Sequence, residues 1–241
     1  MIFIRSALFN IWFYGTISLF ILAACVMALI SKPLASPIAR SWSRSNVAML
    51  RLICGIRIEV HGWEWIPPGA VLIASQHQSA LDTVVWFSLL PRSVYVLKQE
   101  LVRIPVLGWL LIKLGNIAVD RSGGASALRG LLKDGGAALA AGRQVVIFPE
   151  GTRVAAGETG TLHPGVAALA SYTGAAVVPV ATDSGFCWGR KAFTKRPGVV
   201  HVMMRPPLPV GLKRAELLAA LQQSWDQGQQ AIAQLVDKSV A

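Results

Sequence analysis

His77 and Asp82 stand five positions apart in Ile73-Ala-Ser-Gln-His-Gln-Ser-Ala-Leu-Asp-Thr83, directly after a short apolar run. An imidazole that titrates near neutrality can take a proton from a hydroxyl. A carboxylate beside it fixes its tautomer and stabilises the imidazolium that forms. On one continuous helix a spacing of five would point the two side chains well apart. They meet if His77 lies in the loop after a strand, Ser79 caps a helix, and Asp82 in the first turn reaches back to the ring. Ser79-Ala-Leu-Asp82 also reads as a capping box with Asp in place of Glu, in which Asp82 serves helix N–H groups. The sequence leaves both uses open. It contains no Gly-x-Ser-x-Gly, and Cys187 has no local partner that would activate it. A base without a protein nucleophile points to direct transfer onto a hydroxyl of the substrate.

A second cluster follows the apolar run 145–148, in Phe148-Pro-Glu-Gly-Thr-Arg153. Pro149 and Gly151 force a tight turn whose N–H groups can face an oxyanion or a phosphate, and Thr152 adds a hydroxyl. Arg153 offers a guanidinium, the side chain best matched to two phosphate oxygens. Glu150 is unexpected among these groups; it is read as positioning Arg153 or accepting a hydrogen bond from a substrate hydroxyl. Two further apolar runs end in cations, 93–97 before Lys98 and 117–119 before Asp120-Arg121. His61, His163 and His201 are read as structural or surface residues. Cys25, Cys54 and Cys187 lack CxxC spacing, so neither a disulfide framework nor a metal site is expected.

These residues need a scaffold that gathers strand ends. Strand-like runs at 57–61, 71–75, 93–97, 117–119, 144–148, 176–180 and 199–203 alternate with helical patterns at 79–90, 101–114, 125–141 and 165–172. A last amphipathic helix covers 214–236. The alternation predicts an α/β fold, a mostly parallel sheet flanked by helices, with its crevice beyond the strand ends. Ahead of it, residues 6–31 carry no charged side chain, and 11–30 match the roughly 20 residues that cross a hydrocarbon core. This stretch is too long for the apolar core of a cleaved signal peptide. A second helix over 37–54 places Ile38, Trp42, Met49, Leu50 and Ile53 on one face and Arg40, Arg44 and Arg51 away from it. That suits either a membrane interface or packing on the domain. Residues 1–55 are therefore assigned to N-terminal membrane-anchoring helices and 56–241 to the α/β domain.

Net charge +11 calls for an anionic partner. Basic residues beside an apolar anchor, with no aromatic-interleaved basic stripe, favour a bilayer and an acidic substrate and argue against nucleic acid. Lys32, Arg40, Arg44, Arg51 and Arg57 follow the apolar stretch and only Arg5 precedes it. This bias places the bulk of the chain on the cytoplasmic face of the membrane.

The ordered set His77-x4-Asp82, Gly115 to Asp120-Arg121, Phe148-Pro-Glu-Gly-Thr-Arg153 and Val178-Pro-Val180 resembles the four motif blocks of the glycerolipid acyltransferases. The bacterial 1-acyl-sn-glycerol-3-phosphate acyltransferases are the most similar branch. Lys98-x-Glu-Leu, followed by Pro105 and Gly108, is similar too. The resemblance spans about residues 57–204, and its most specific element is the hexapeptide ending in Arg153. It implies that His77 is general base toward the 2-hydroxyl of lysophosphatidic acid and Asp82 its orienting partner. It further implies that Lys98, Arg121 and Arg153 hold the acceptor phosphate in a pocket shaped by Glu150, Gly151 and Thr152. Acyl-CoA or acyl-acyl carrier protein would be co-substrate, with no cofactor and no metal, and the product phosphatidic acid. Where the second block commonly carries Phe before an apolar pair, Ile117-Ala118 stands here. Alternatives are another lysolipid acceptor, such as a lyso-ornithine lipid, or a non-catalytic lipid-binding membrane protein.

Overall fold

A computed structural model describes residues 1–30 and 32–240. Its centre is a seven-stranded sheet in the order β1-β7-β6-β2-β5-β3-β4. In chain order these are β1 (Ile56–His61), β2 (Val71–Ser75), β3 (Ser93–Lys98), β4 (Ile117–Val119), β5 (Gln144–Ile147), β6 (Val177–Thr182) and β7 (Gly198–Met204). All neighbours run parallel except β6 and β7. The middle strands β2, β5 and β6 are buried along their whole length. Their unbroken apolar runs are what a strand covered on both faces requires. Pro179 is tolerated in a central strand because its missing donor faces the β7 side, where its carbonyl accepts the N–H of Arg205. The carbonyl of Val180, facing β2, still accepts the N–H of Gln76.

Helices cover both faces. α1 (Ile2–Ile30), α2 (Lys32–Met49) and α3 (Ala80–Leu89) lie on one side, where Phe9, Leu50, Trp86 and Trp188 join Ile73, Val146, Val178 and Val200 in one core. α6 (Gly124–Ala140), α7 (Gly165–Thr173) and α9 (Arg214–Val240) cover the other, packing Leu131, Leu169, Leu221 and Trp225 on Leu72, Val145 and Val177. The indole of Trp225 donates to the carbonyl of Ala74 at 3.1 Å, fixing α9 across β2. The short α4 (Gln99–Val102), α5 (Leu107–Lys113) and α8 (Ser184–Cys187) sit near the strand ends.

One expectation changes here, and one open choice closes. The pattern over 101–114 is not one helix: it breaks between α4 and α5, where Pro105 disfavours helical backbone before it and Val106 takes φ +64°. The second N-terminal helix packs on the domain. Ser43 Oγ donates to the carbonyl of Val84, Leu50 is fully buried, and the helix passes through a π-turn (Leu50–Cys54) to Gly55 at φ +70°.

α1 is long and apolar enough to cross a membrane over Ile2–Met27. It nevertheless touches the rest of the chain near both ends. Phe9 meets Trp188 edge-on at 5.6 Å, while Ala24 packs with Leu110 and Leu114 of α5. At the first contact the buried ammonium of Lys195 bonds the Asn10 side chain and the carbonyl of Phe193 and lies over the Trp188 ring. Burial pushes its pKa down to about 8. The opposite face of α1 leaves Ile4, Leu8, Ile11, Leu19, Leu22 and Leu29 exposed, an uninterrupted apolar stripe.

Candidate active site

β2 ends at Ser75, and the next residues are locked before α3 begins. Gln76 and Gln78 point away from the cleft: Gln76 Oε1 accepts from Thr182 N and from Gln229 Nε2, and Gln78 Oε1 accepts from Gly185 N. His77, between them, is turned the other way. Ser79 is the N-cap of α3, its Oγ accepting the N–H of Leu81. Asp82 Oδ2 accepts the N–H groups of Gln78 and Ser79 at 2.7 and 2.8 Å and lies 3.0 Å from His77 Nδ1. The capping box and the histidine partner are therefore the same carboxylate oxygen. Because that oxygen is an acceptor to every neighbour, Nδ1 carries the proton and Nε2 keeps its lone pair. The His77 side chain is 13% exposed against 4% for Asp82, so the ring is reachable and its partner is sealed.

Phe148, the first residue after β5, stacks on the His77 ring with centroids 4.1 Å apart. Behind it lies Tyr95, whose hydroxyl donates to the carbonyl of Thr83. The turn that follows closes on itself through Gly151 N–H to the Phe148 carbonyl, so this amide is not free for an oxyanion. Gly151 has φ +66°, and a Cβ there would come within 2.9 Å of His163. Only glycine fits. His163 is thus part of the turn's packing, a neighbour that the sequence did not reveal.

Glu150 corrects an expectation. It makes no ion pair with Arg153 among the described residues and does not reach the cleft wall. Its Oε2 accepts the backbone N–H of His77 at 2.7 Å, and Val154 N–H donates back to the His77 carbonyl at 2.8 Å. The two motif loops are stitched together at the base. Burial raises the Glu150 pKa to about 7; the His77 N–H opposes the shift and the Asp82 charge adds to it.

A cleft of about 530 Å³ opens at His77. Phe87, Tyr95, Leu97, Leu101, Leu107 and Leu111 make an apolar wall, and Lys98, Arg121, Thr152 and Arg153 line it as well. Arg121 is presented by a tight turn after β4 in which Asp120 Oδ1 accepts from Ser122 N and Oγ. A larger hollow of about 960 Å³ between α2 and β1 carries Arg44, Arg51, Arg57 and Glu59 but, among the described residues, no histidine.

The chain matches the family profile described as acyltransferase over residues 57–183, more than half its length. It is 37% identical over 186 residues to the 1-acyl-sn-glycerol-3-phosphate acyltransferase of Pseudomonas aeruginosa, covering 77% of this chain and 72% of that one. This protein belongs to the acyltransferase family. A human relative named 1-acyl-sn-glycerol-3-phosphate acyltransferase alpha is 31% identical over 68% of this chain and 62% of its own. The crystal structure of the 1-acyl-sn-glycerophosphate (LPA) acyltransferase from Thermotoga maritima shares the fold, with TM-score 0.78 over 97% of this chain and 98% of that one, at 22% identity.

In this acyltransferase the cleft gathers His77, Lys98, Arg121, Gly151, Thr152 and Arg153, leaving Asp82 and Glu150 behind them. It also gathers Arg190 and Lys191, from the loop after α8, which the sequence reading missed. Arg153 and Lys191 also line a neighbouring hollow of about 580 Å³ that runs to Asn10, Ile11 and Tyr14 of α1. The only local sign of this loop's role is its basic dipeptide beside aromatic residues, a pattern common on any surface. The non-glycine φ of +54° at Lys191 is visible only in three dimensions.

Proposed function

We propose that this acyltransferase carries a fatty acyl group from a thioester to the 2-hydroxyl of 1-acyl-sn-glycerol-3-phosphate, forming phosphatidic acid. The observation that carries the reading is His77, its Nδ1 held by Asp82 and its Nε2 without a partner among the described residues, in a cleft that has an apolar wall and the cationic side chains of Lys98, Arg121, Arg153, Arg190 and Lys191. A bare phosphate is the anion that such a set of forks and point charges suits.

Nε2 takes the hydroxyl proton as the oxygen attacks the thioester carbonyl, and Asp82 stabilises the imidazolium. The tetrahedral adduct expels the thiol sulfur, which leaves with the proton from Nε2, and the base is restored. A thioester is already activated, so this chemistry calls for no metal and no cofactor. The donor is acyl-CoA or acyl-acyl carrier protein.

The exposed apolar stripe of α1 continues toward Ile104, Val106, Trp109 and Ile112 of the α4–α5 region, all exposed. We assign these residues to a bilayer contact. The contacts of α1 with the domain at Phe9 and at Ala24 lie about 22 Å apart along the helix. A helix held at both points suits an anchor lying in one leaflet with α2 as its return. The basic residues after α1 favour the cytoplasmic face of a bacterial cytoplasmic membrane.

The deciding experiment is an acyl-transfer assay of the detergent-purified chain with defined lysolipids and both donor classes. Lysophosphatidic acid should be acylated in preference to lysolipids with larger headgroups and to lyso-ornithine lipid. The reading fails if another lysolipid is acylated and lysophosphatidic acid is not.

A further inference from the structure

Glu59 and His61 lie two residues apart on β1, so their side chains leave the same face, and Glu59 stands directly opposite His201 of β7. One donor atom from each of these three residues lies within 4.8 Å of the others. The two imidazole rings are stacked with centroids 5.6 Å apart. His201 is held from behind: Asp183 Oδ1 accepts its backbone N–H at 2.7 Å, and Oδ2 lies 2.8 Å from Nδ1. Asp183 and His201 are both buried. The carboxylate puts the proton on Nδ1 and leaves Nε2 as a free donor pair, the tautomer that metal-bound histidines take from just such a partner. His61 Nε2 is buried and has no hydrogen-bond partner among the described residues. A buried imidazole nitrogen left alone costs free energy that a ligand would recover. Glu59 is exposed and forms no ion pair among the described residues, Arg57 on the same strand included.

We propose that Glu59, His61 and His201 bind one divalent cation of the zinc class, with Asp183 as the outer partner of His201 and water completing the coordination. Two imidazoles and one carboxylate suit Zn²⁺, Co²⁺ or Ni²⁺ better than the all-oxygen preferences of Mg²⁺ or Ca²⁺. Bonds of about 2.0–2.1 Å require the donor atoms to draw closer than they stand, which rotation of Glu59 and His61 provides while His201 stays fixed. The ion serves structure. Among the described residues β1 is an edge strand paired only to β7, and none of the three ligands lines the catalytic cleft. Binding would clamp β1, and the helices leading into it, to the sheet. The inference does not depend on the acyl acceptor.

The test is titration of the EDTA-treated, detergent-purified full chain with ZnCl₂ by calorimetry, and with CoCl₂ by visible absorption. One saturable equivalent is expected, with a rise in Tm on addition of zinc. Glu59→Gln, an exposed and near-isosteric change, should weaken binding by at least about tenfold. Asp183→Asn should weaken it about 10- to 100-fold. His77→Ala should leave it unchanged, and Glu59→Gln should leave acyl transfer unchanged. Absence of a saturable equivalent, or an equivalent that survives Glu59→Gln and His61→Ala with unchanged affinity, overturns the proposal.

Discussion

His77 and Arg153 line the same cleft, yet the chain holds them differently. His77 is fixed through its backbone N–H by Glu150, through its carbonyl by Val154, through Nδ1 by Asp82 and through its ring face by Phe148. The glutamines on either side are pinned to β6, α8 and α9. Arg153, Arg190 and Lys191 make no side-chain hydrogen bond or ion pair with the described residues. Lys98 pairs only with Glu100, at 2.7 Å, both side chains more than half exposed. A proton transfer needs atoms placed to a few tenths of an ångström, so its geometry is built in before substrate arrives. An anion needs charge more than placement, and cations left without partners keep their charge available to it. Damage on the first side should therefore appear in kcat, and on the second in KM.

The largest effect tests the ordered side. His77→Ala should lower kcat about 10²- to 10⁴-fold with the fold intact by circular dichroism. A loss of only a few-fold would mean that His77 is not the general base. Asp82→Ala should lower kcat about 10²-fold or more and also destabilise α3 by about 1 kcal/mol, because one oxygen both orients the ring and caps the helix. A fall in Tm with kcat preserved would reduce Asp82 to a cap alone. On the loose side, Arg153→Ala removes a charge-assisted contact of about 1.5–3 kcal/mol, so KM for the phosphorylated acceptor should rise about 10- to 100-fold with kcat nearly kept. Arg190→Gln and Lys191→Gln should each raise KM only a few-fold, because neighbouring cations cover the loss. Added salt should raise KM of the wild type more than that of Arg153→Ala, since these charges face solvent. A kcat loss in Arg153→Ala as large as that of His77→Ala would erase the distinction.

What could be read from the sequence follows the same division. β2 and β4 have the bounds expected because a short apolar run between turns specifies its own limits. The His77–Asp82 pair was legible because a cap and a five-residue spacing are local. The antiparallel pairing of β6 with β7 was not, since register is decided between distant segments. Glu150 looked like a member of the anion turn because its true partner, the His77 amide, lies on another loop. Arg190 and Lys191 follow a four-residue helix with no periodicity, so only the cleft shows what they face. The alternation Glu59-x-His61 was a readable strand pattern, but its third member on β7 made sense only once β1 was laid beside it.

Glu150 joins the two sides: its peptide sits in the turn that carries Arg153, and its carboxylate holds the base. Its pKa rises from 4.5 to about 7 on folding. Below pH 4.5 the group is protonated in both states. Between the two values the unfolded chain releases the proton while the folded chain retains it, so stability falls as pH rises through this window. Above about pH 7 the loss is complete, at most about 3 kcal/mol. Glu150→Gln keeps an oxygen acceptor for the His77 N–H and cannot ionise. Its Tm relative to wild type should therefore rise between pH 5 and pH 8, while kcat changes only a few-fold because Glu150 does not touch the cleft. A Tm difference that stays flat with pH would mean the carboxylate is charged throughout. The stitch between base and turn would then be ionic, and Glu150→Gln should weaken it at every pH.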